Sequence, residues 1–283
     1  MIKLIILDID GVILGGLRGI NFPYPSQKVT TYLMDLQNQG VKISLCTGKP
    51  SFSVQSIIEK VNLDNMHISD GGAVIFDPLS KNVYKAMTVP QKTITKIFKE
   101  TSTHFALWEL YTFKTKHVQA GVYPKEIHED PVMMPCIEEP DLLKVVEQNE
   151  LNKVELKCLP ADESYFDQVI SKYADQLTVQ WTYSPMVPLY KIGIITAKGV
   201  DKRSSVQDLI KYYQILPQDV LAVGDTLMDW NFMEGCGYLA TLANAKSEMQ
   251  DLVQKKGGFI GGHVDNDGII DILEHFKEYI EKN

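Results

Sequence analysis

Asp8 and Asp10 stand one residue apart at the end of an unbroken apolar run, Leu4 to Leu7. Two carboxylates beside a core strand are costly to leave unpaired, so they hold a cation or do chemistry. Further along, Thr47-Gly48 ends a second apolar run, Lys202 precedes an amphipathic stretch, and Asp225 and Asp229 follow a third run. Three or four acids make a hard oxygen site suited to Mg²⁺. A hydroxyl followed by glycine, together with a lysine, can hold a phosphoryl group that the metal also touches.

These residues are far apart in sequence, so the fold must bring them together. A short continuous apolar run suits a strand buried on both faces, as in a parallel sheet. Residues 1 to about 80 alternate such runs with amphipathic stretches. A helix is predicted over Ser26 to Gln39, with Val29, Leu33 and Leu36 at helical spacing and Gly40 as its stop. A strand follows over Val41 to Cys46, then a helix over Ser51 to Val61, then strand, turn and strand over His67 to Phe76. This alternation predicts an α/β fold, a doubly wound and mainly parallel sheet with a Rossmann-like core. Such a sheet gathers its strand ends along one edge, where open α/β sheets place their ligands.

The stretch from about 83 to 190 has a different pattern, α+β and rich in aromatics and lysine. Its segments read as strand (Val83 to Val89), helix (Gln91 to Thr101), strand (Phe105 to Lys114), an irregular proline-containing stretch, helix (Asp141 to Gln148), strand (Lys153 to Leu159), helix (Glu163 to Ala174) and strand (Thr178 to Tyr183). We read it as a separate domain inserted into the first, so that 1–82 and 191–283 form the core and 83–190 the insertion. The core pattern resumes at about 191, with short strands at Asp219 to Val223 and Gly237 to Leu242. Insertion of one compact domain into a loop of another is well tolerated.

Composition narrows the function classes. The formal charge of -8 over 283 residues argues against a general nucleic-acid binder, which needs a clustered positive surface. The N-terminal apolar run is too short for a signal peptide, and no stretch approaches the roughly 20 apolar residues of a membrane span. Cys46, Cys136, Cys158 and Cys236 are scattered, with no zinc spacing, as expected of reduced thiols in a cytoplasmic protein. No nucleic-acid or membrane partner is expected. The oligomeric state is left open.

Each motif alone has another meaning: a turn for Asp8-Ile9-Asp10-Gly11, a helix lead-in for Thr47-Gly48, a solvated residue for Lys202, a simple loop and N-cap for Gly224-Asp225 to Asp229. Together and in this order they resemble the haloacid dehalogenase superfamily of phosphohydrolases, whose four short motifs they match. Within it the chain resembles the Cof-like, sugar-phosphatase-type branch. The insertion follows Asp70-Gly71-Gly72-Ala73, where that branch carries its large α/β cap. Gly199-Val200-Asp201-Lys202, Ala243-Asn244-Ala245 and Asp267-Gly268-Ile269 resemble the same branch.

The resemblance implies roles for the residues. Asp8 would be the nucleophile, forming an aspartyl-phosphate. Asp10 would be the general acid on the leaving alcohol and then the general base on water. Mg²⁺ would be held by Asp8, Asp225 and the backbone carbonyl of Asp10, with Asp229 reached directly or through water. Thr47, Lys202 and backbone N–H groups near Gly11 and Gly48 would hold the phosphoryl oxygens. Asn231 lies close to the metal acids in sequence.

Two positions depart from the branch: Met228 stands where Asn is usual, and Val12 where Thr is commoner. The cap would close out water and contact the leaving group. Its candidate contacts are Trp108, Lys114, His117, His128, Trp181 and Tyr183, each of a type that more often serves core or surface. Glu129-Asp130 reads as a solvated loop. The expected function is a Mg²⁺-dependent phosphatase acting on a small phosphorylated metabolite, with sugar phosphates as the family-level expectation. A phosphomutase shares the same two-aspartate chemistry. A catalytically weak sugar-phosphate-binding regulator is the reading from a different class, though a binder has no need for Asp10.

Overall fold

A computed structural model describes residues 1–122, 136–183 and 188–280. The first elements are β1 (Leu4–Leu7), α1 (Gln27–Asn38), β2 (Lys42–Leu45), α2 (Ser51–Val61), β3 (His67–Ser69), β4 (Val74–Asp77) and β5 (Asn82–Ala86). The middle of the chain forms α3 (Gln91–Thr101), β6 (Leu107–Tyr111), β7 (Lys116–Gln119), β8 (Cys136–Glu139), α4 (Leu142–Gln148), β9 (Lys153–Cys158), α5 (Glu163–Ser171), β10 (Leu177–Tyr183) and β11 (Lys191–Ala197). The last part forms α6 (Lys202–Tyr213), β12 (Val220–Val223), α7 (Leu227–Met233), β13 (Tyr238–Leu242), α8 (Ser247–Lys255), β14 (Phe259–Gly261) and α9 (Gly268–His275).

The chain divides into two compact units. One comprises Met1–Gly48, Val54–Tyr84 and the chain from Lys202 onward; the other comprises Lys49–Ser53 and Lys85–Asp201. The first unit is built on a five-stranded sheet of order β14-β13-β12-β1-β2, with every pairing parallel. A parallel bridge between Cys46 and Ile68 carries the sheet on toward β3. From β1 the chain runs outward to β2 and β3, then returns to place β12 on the other side of β1. The point between β1 and β12 is therefore where the strand order reverses, the place where open α/β sheets seat their ligands.

Alternate residues of the central strands, Leu4, Ile6, Val220 and Ala222, share one apolar cluster with Val206 and Leu209 of α6, Phe232 and Met233 of α7, and Met249 and Val253 of α8. β1 is fully buried, as its unbroken apolar run predicts. Ser26 caps α1 by accepting from the Val29 N–H at 3.1 Å. Among the described residues no helix is long and apolar enough to cross a membrane.

The second unit has a six-stranded sheet of order β10-β11-β9-β6-β7-β8, antiparallel except for the parallel pair β7 and β8. One of its faces is apolar: Trp108, Leu110, Val154, Leu156 and Ile195 pack with Ile94 and Ile97 of α3, Val145 and Val146 of α4, and Phe166 and Ile170 of α5.

The expected division at residue 190 needs correction. Lys191–Ala197 pairs antiparallel with both β9 and β10, so the second unit runs to Asp201. An apolar strand such as Ile192 to Ile195 reads the same whichever sheet takes it, and pairing partners are not legible in a strand's own residues. The single strand predicted over Phe105 to Lys114 is the first arm of a hairpin, β6 and β7, turning at Thr112–Thr115. Within the stretch read as irregular, β8 adds to β7.

Candidate active site

The carboxyl ends of β1 and β12 bring together Asp8, Asp225 and Asp229 with Lys202. Asp8 follows Leu7, is 5% exposed, and its N–H donates to the Val223 carbonyl at 2.9 Å, which ties it to the end of β12. Lys202, the first residue of α6, is 6% exposed and donates to Asp8 Oδ1 at 2.7 Å and to Asp229 Oδ1 at 2.6 Å. Asp229 is 1% exposed, and its other oxygen, Oδ2, accepts from the Thr226 N–H at 3.0 Å, the Thr226 hydroxyl at 2.7 Å and the Asp225 N–H at 3.3 Å. Asp229 thus secures the loop that carries Asp225 and anchors the lysine that faces Asp8.

Gly224 makes that arrangement possible. A Cβ built on it would lie 2.3 Å from Asp229 Cβ, so any side chain at 224 would push Asp229 away. Gly11 plays a similar part on the opposite loop. Its φ is +75°, and a Cβ there would lie 2.0 Å from Asp225 Oδ2.

The electrostatics follow from crowding acids into a mostly buried cluster. Burial pushes the Asp8 carboxyl well above the usual range, with Asp229, Asp225 and Asp10 adding to the rise and Lys202 opposing it. Asp225 is pushed up to about 7, by burial first and by the Asp229 charge next. Burial works against a charged Lys202, but Asp229 and Asp8 overcome it and raise its pKa well above the ordinary value. Asp8, Asp225 and Asp229 each offer one carboxylate oxygen, and these oxygens all lie within 4.8 Å of one another. Three oxygen donors against one buried ammonium form a set that a hard divalent cation fits, since it would supply the positive charge the cluster lacks.

The other expected site residues stand beyond β1 and β2, with Asn231 on α7. Thr47, two residues beyond β2, is 2% exposed, and its N–H donates to the Ile68 carbonyl at 3.0 Å. Gly48 has open space where a Cβ would stand. Asp10 is exposed and joined to Leu14 by a bridge, while the Gly11 N–H donates to the Leu14 carbonyl at 2.8 Å. Val12 is buried, and Asn231 is exposed on α7.

In the second unit several candidates are taken up structurally. Trp108 and Trp181 pack in the apolar cluster, and the Trp181 indole N–H donates to Asp167 at 2.8 Å. His117 Nδ1 lies 2.8 Å from Glu139 Oε1, and its Nε2 lies 2.9 Å from the Thr115 hydroxyl. Lys114 and Tyr183 are exposed; His128, Glu129 and Asp130 lie outside the described residues. The sheet face away from Trp108 carries buried charge instead. Lys157 pairs with Glu109 at 2.5 Å and Glu155 at 3.3 Å, Lys153 pairs with Glu155 at 2.6 Å, and Tyr111 donates to Glu109. Strict alternation of charge, Lys153, Glu155, Lys157, was the available sequence signal for this face.

One residue near the site had no role assigned from sequence. Asn244, in the turn after β13, donates from Nδ2 to the Gly11 carbonyl at 2.9 Å and accepts at Oδ1 from the Val264 N–H at 3.0 Å.

A family model shows the family of this chain, and the other comparisons add a likeness in sequence and in fold. The model of the haloacid dehalogenase-like hydrolases matches residues 5–273. A curated relative from Bacillus subtilis, phosphatase YwpJ, is 23% identical over 270 residues, which cover 88% of this chain and 92% of that one. The fold superposes on a haloacid dehalogenase-like hydrolase from Bacteroides thetaiotaomicron with a TM-score of 0.81 at 17% identity, covering 98% of this chain and 100% of the other. It also superposes on the subclass IIB sugar phosphatase BT4131 with a TM-score of 0.74 at 17% identity, covering 97% and 99%.

Proposed function

The chain belongs to the haloacid dehalogenase-like hydrolases, and from that membership we propose that it is a Mg²⁺-dependent phosphatase that hydrolyses a small phosphorylated metabolite through an aspartyl-phosphate on Asp8. The observation that carries this reading is the buried pair of contacts by which Lys202 bridges Asp8 and Asp229, beside Asp225. The curated relative's name, phosphatase, supports the reaction. The name of the structural relative, a sugar phosphatase, supports a sugar phosphate as the substrate class.

In the first half-reaction an Asp8 carboxylate oxygen bonds to phosphorus as the bond to the leaving oxygen breaks, and the Asp10 carboxyl gives its proton to that oxygen. In the second, Asp10 takes a proton from water, the water oxygen bonds to phosphorus, and the Asp8–phosphorus bond breaks. Inorganic phosphate leaves, with Asp8 again a carboxylate and Asp10 again protonated. Lys202 and Thr47 hold phosphoryl oxygens, with backbone N–H groups near Gly11 and Gly48. Lys202 also keeps the attacking oxygen of Asp8 aimed, because its ammonium is itself fixed by Asp229. Asp8 and Asp225, with the backbone carbonyl of Asp10, would hold Mg²⁺, and Asp229 stands behind them as the anchor of Lys202 and of the Asp225 loop. When bound, the metal supplies positive charge that offsets the repulsion between an anionic nucleophile and an anionic phosphate.

The test is phosphate release from p-nitrophenyl phosphate and a panel of phosphorylated metabolites, with Mg²⁺ and with EDTA. Metal-dependent release that Asp8→Asn abolishes is the expected result. No release from the wild type on any compound would overturn the reading, as would isomer formation without phosphate release from a hexose 1-phosphate.

A further inference from the structure

Asn244 spends both ends of one side-chain amide on backbone groups of two other strand-end loops. Its donor end holds the carbonyl of Gly11, 233 positions away, and its acceptor end takes the N–H of Val264. The loop beyond β14 that carries Val264 is itself tied back to the loop after β1. Asp265 Oδ1 accepts from the Gly16 N–H at 2.9 Å and from Asn21 Nδ2 at 2.9 Å, and the Ser26 hydroxyl donates to Asp267 at 2.6 Å. Asn244 therefore hangs from a frame that is braced against the nucleophile loop.

From these contacts we propose that Asn244 is a positioning residue for Asp10, acting through the backbone of Gly11. The inference rests on the phosphatase reading above. A peptide unit is planar, so holding one of its polar atoms fixes the whole unit. The Gly11 N–H, held by the Leu14 carbonyl, fixes the plane between Asp10 and Gly11. The Gly11 carbonyl, held by Asn244, fixes the plane between Gly11 and Val12. With both planes pinned, glycine keeps its left-handed φ of +75° although it is the residue with the greatest backbone freedom. Two consequences follow. Gly11 stays against Asp225, where there is no room even for a methyl group. Asp10, exposed and attached to the first of those planes, keeps its aim at the leaving oxygen.

A residue that aims the general acid has a kinetic signature that simple loss of stability does not produce. An aryl leaving group such as p-nitrophenolate departs without much help from a proton, whereas an alkoxide needs one. The test compares Asn244→Asp and Asn244→Ala with the wild type on p-nitrophenyl phosphate and on whichever alkyl phosphate of the panel the wild type turns over fastest. The aspartate is isosteric and keeps an acceptor for Val264 but loses the donor to Gly11, and alanine is the second variant should aspartate fail to fold. The expected result is a fall in kcat/KM, which reports formation of the aspartyl-phosphate and not the water step that the two substrates share, of roughly tenfold to a hundredfold for the alkyl phosphate and clearly less for the aryl ester. Faster hydrogen exchange at the Gly11 amide should accompany it. An equal fall on both substrates, or none on either, would overturn the proposal. A wild type inactive on every phosphate would sink the phosphatase reading instead, and unchanged exchange at Gly11 would then still overturn the tether.

Discussion

The Lys202 ammonium lies 2.7 Å from Asp8 and 2.6 Å from Asp229, and all three residues are buried. One cation thus balances two acids that are almost wholly withdrawn from solvent, and the acid that anchors it is fixed in turn by the N-terminal turn of α7. Such a group is costly to desolvate and costlier to break, since removing one partner leaves the others charged and unpaired.

Lys202→Met tests this directly. The long apolar side chain keeps the volume and removes the charge. The expected cost is about 3–5 kcal/mol of folding stability, the range for breaking a buried pair, together with loss of measurable phosphate release. Urea unfolding at neutral pH measures the first and a phosphate assay the second. A midpoint equal to the wild type's would contradict the assigned charge balance.

Asp229→Asn separates anchoring from metal binding. The amide can still accept at one atom, so the Thr226 contacts can persist while the charge that raises and fixes Lys202 is lost. Activity is expected to fall by roughly a hundredfold, a loss of the size seen when one electrostatic group of a site is removed, and saturating Mg²⁺ should not restore it. Full rescue by raised Mg²⁺ would instead make Asp229 chiefly a metal ligand.

Gly11→Ala places a methyl group 2.0 Å from the Asp225 carboxylate and puts an L side chain at φ +75°. The loop must rotate or Asp225 must move. The Mg²⁺ concentration for half-maximal activity should rise by roughly tenfold or more, because the acids proposed to hold the metal are no longer correctly spaced. Gly235→Ala is the control, since open space lies where its Cβ would stand. An unaltered metal response in Gly11→Ala would refute the contact.

His67 makes the fold sensitive to acid. It is buried, and its Nδ1 accepts the Leu45 N–H at 3.0 Å, so the ring is held neutral. Burial lowers its pKa from 6.5 to about 4. The unfolded chain therefore takes up a proton below pH 6.5 that the folded chain refuses, and stability present above that pH is lost as the pH falls toward 4. The loss attributable to this group is of the order of 3 kcal/mol. Denaturant midpoints at pH 7, 6, 5 and 4 should show it, and His67→Gln should flatten that part of the profile. Parallel profiles for the two proteins would assign the acid sensitivity elsewhere.

Lys157→Met probes the buried charges of the second unit. It leaves Glu109 and Glu155 short of a partner that stands 2.5 and 3.3 Å away. Burial alone would raise the Glu155 carboxyl, but Lys153 and Lys157 outweigh it and hold it well below the usual carboxylate range. A destabilisation of about 3–5 kcal/mol is expected, confined to one transition if the two compact units unfold separately. Thermal unfolding followed at two wavelengths would reveal that split, and an unshifted profile would contradict the assignment.

Local signals in the sequence sufficed for much of this protein. The apolar run Leu4 to Leu7 marked a central strand, and the first helix was legible from the helical spacing of Val29, Leu33 and Leu36, which it buries. Asp8, Thr47, Lys202 and Asp225 were legible because each stands at a junction between an apolar run and an amphipathic stretch. A doubly wound sheet sends all such junctions to one edge. What distinguishes Asp229 as an anchor was only half visible, in the spacing of Thr226 and Asp229 at the start of a helix. Three things were decided by tertiary structure. Lys191–Ala197 joined the second sheet because β9 and β10 were there to pair with it. The alternating charges of β9 became a buried ion-pair cluster because β6 brought Glu109 and Tyr111 alongside. Asn244 reached Gly11 because the sheet order sets β13 two strands from β1 and sends both loops out of the same edge. Periodicity and capping act over a few residues and can be read in the chain, whereas contacts between strand-end loops depend on which strands become neighbours.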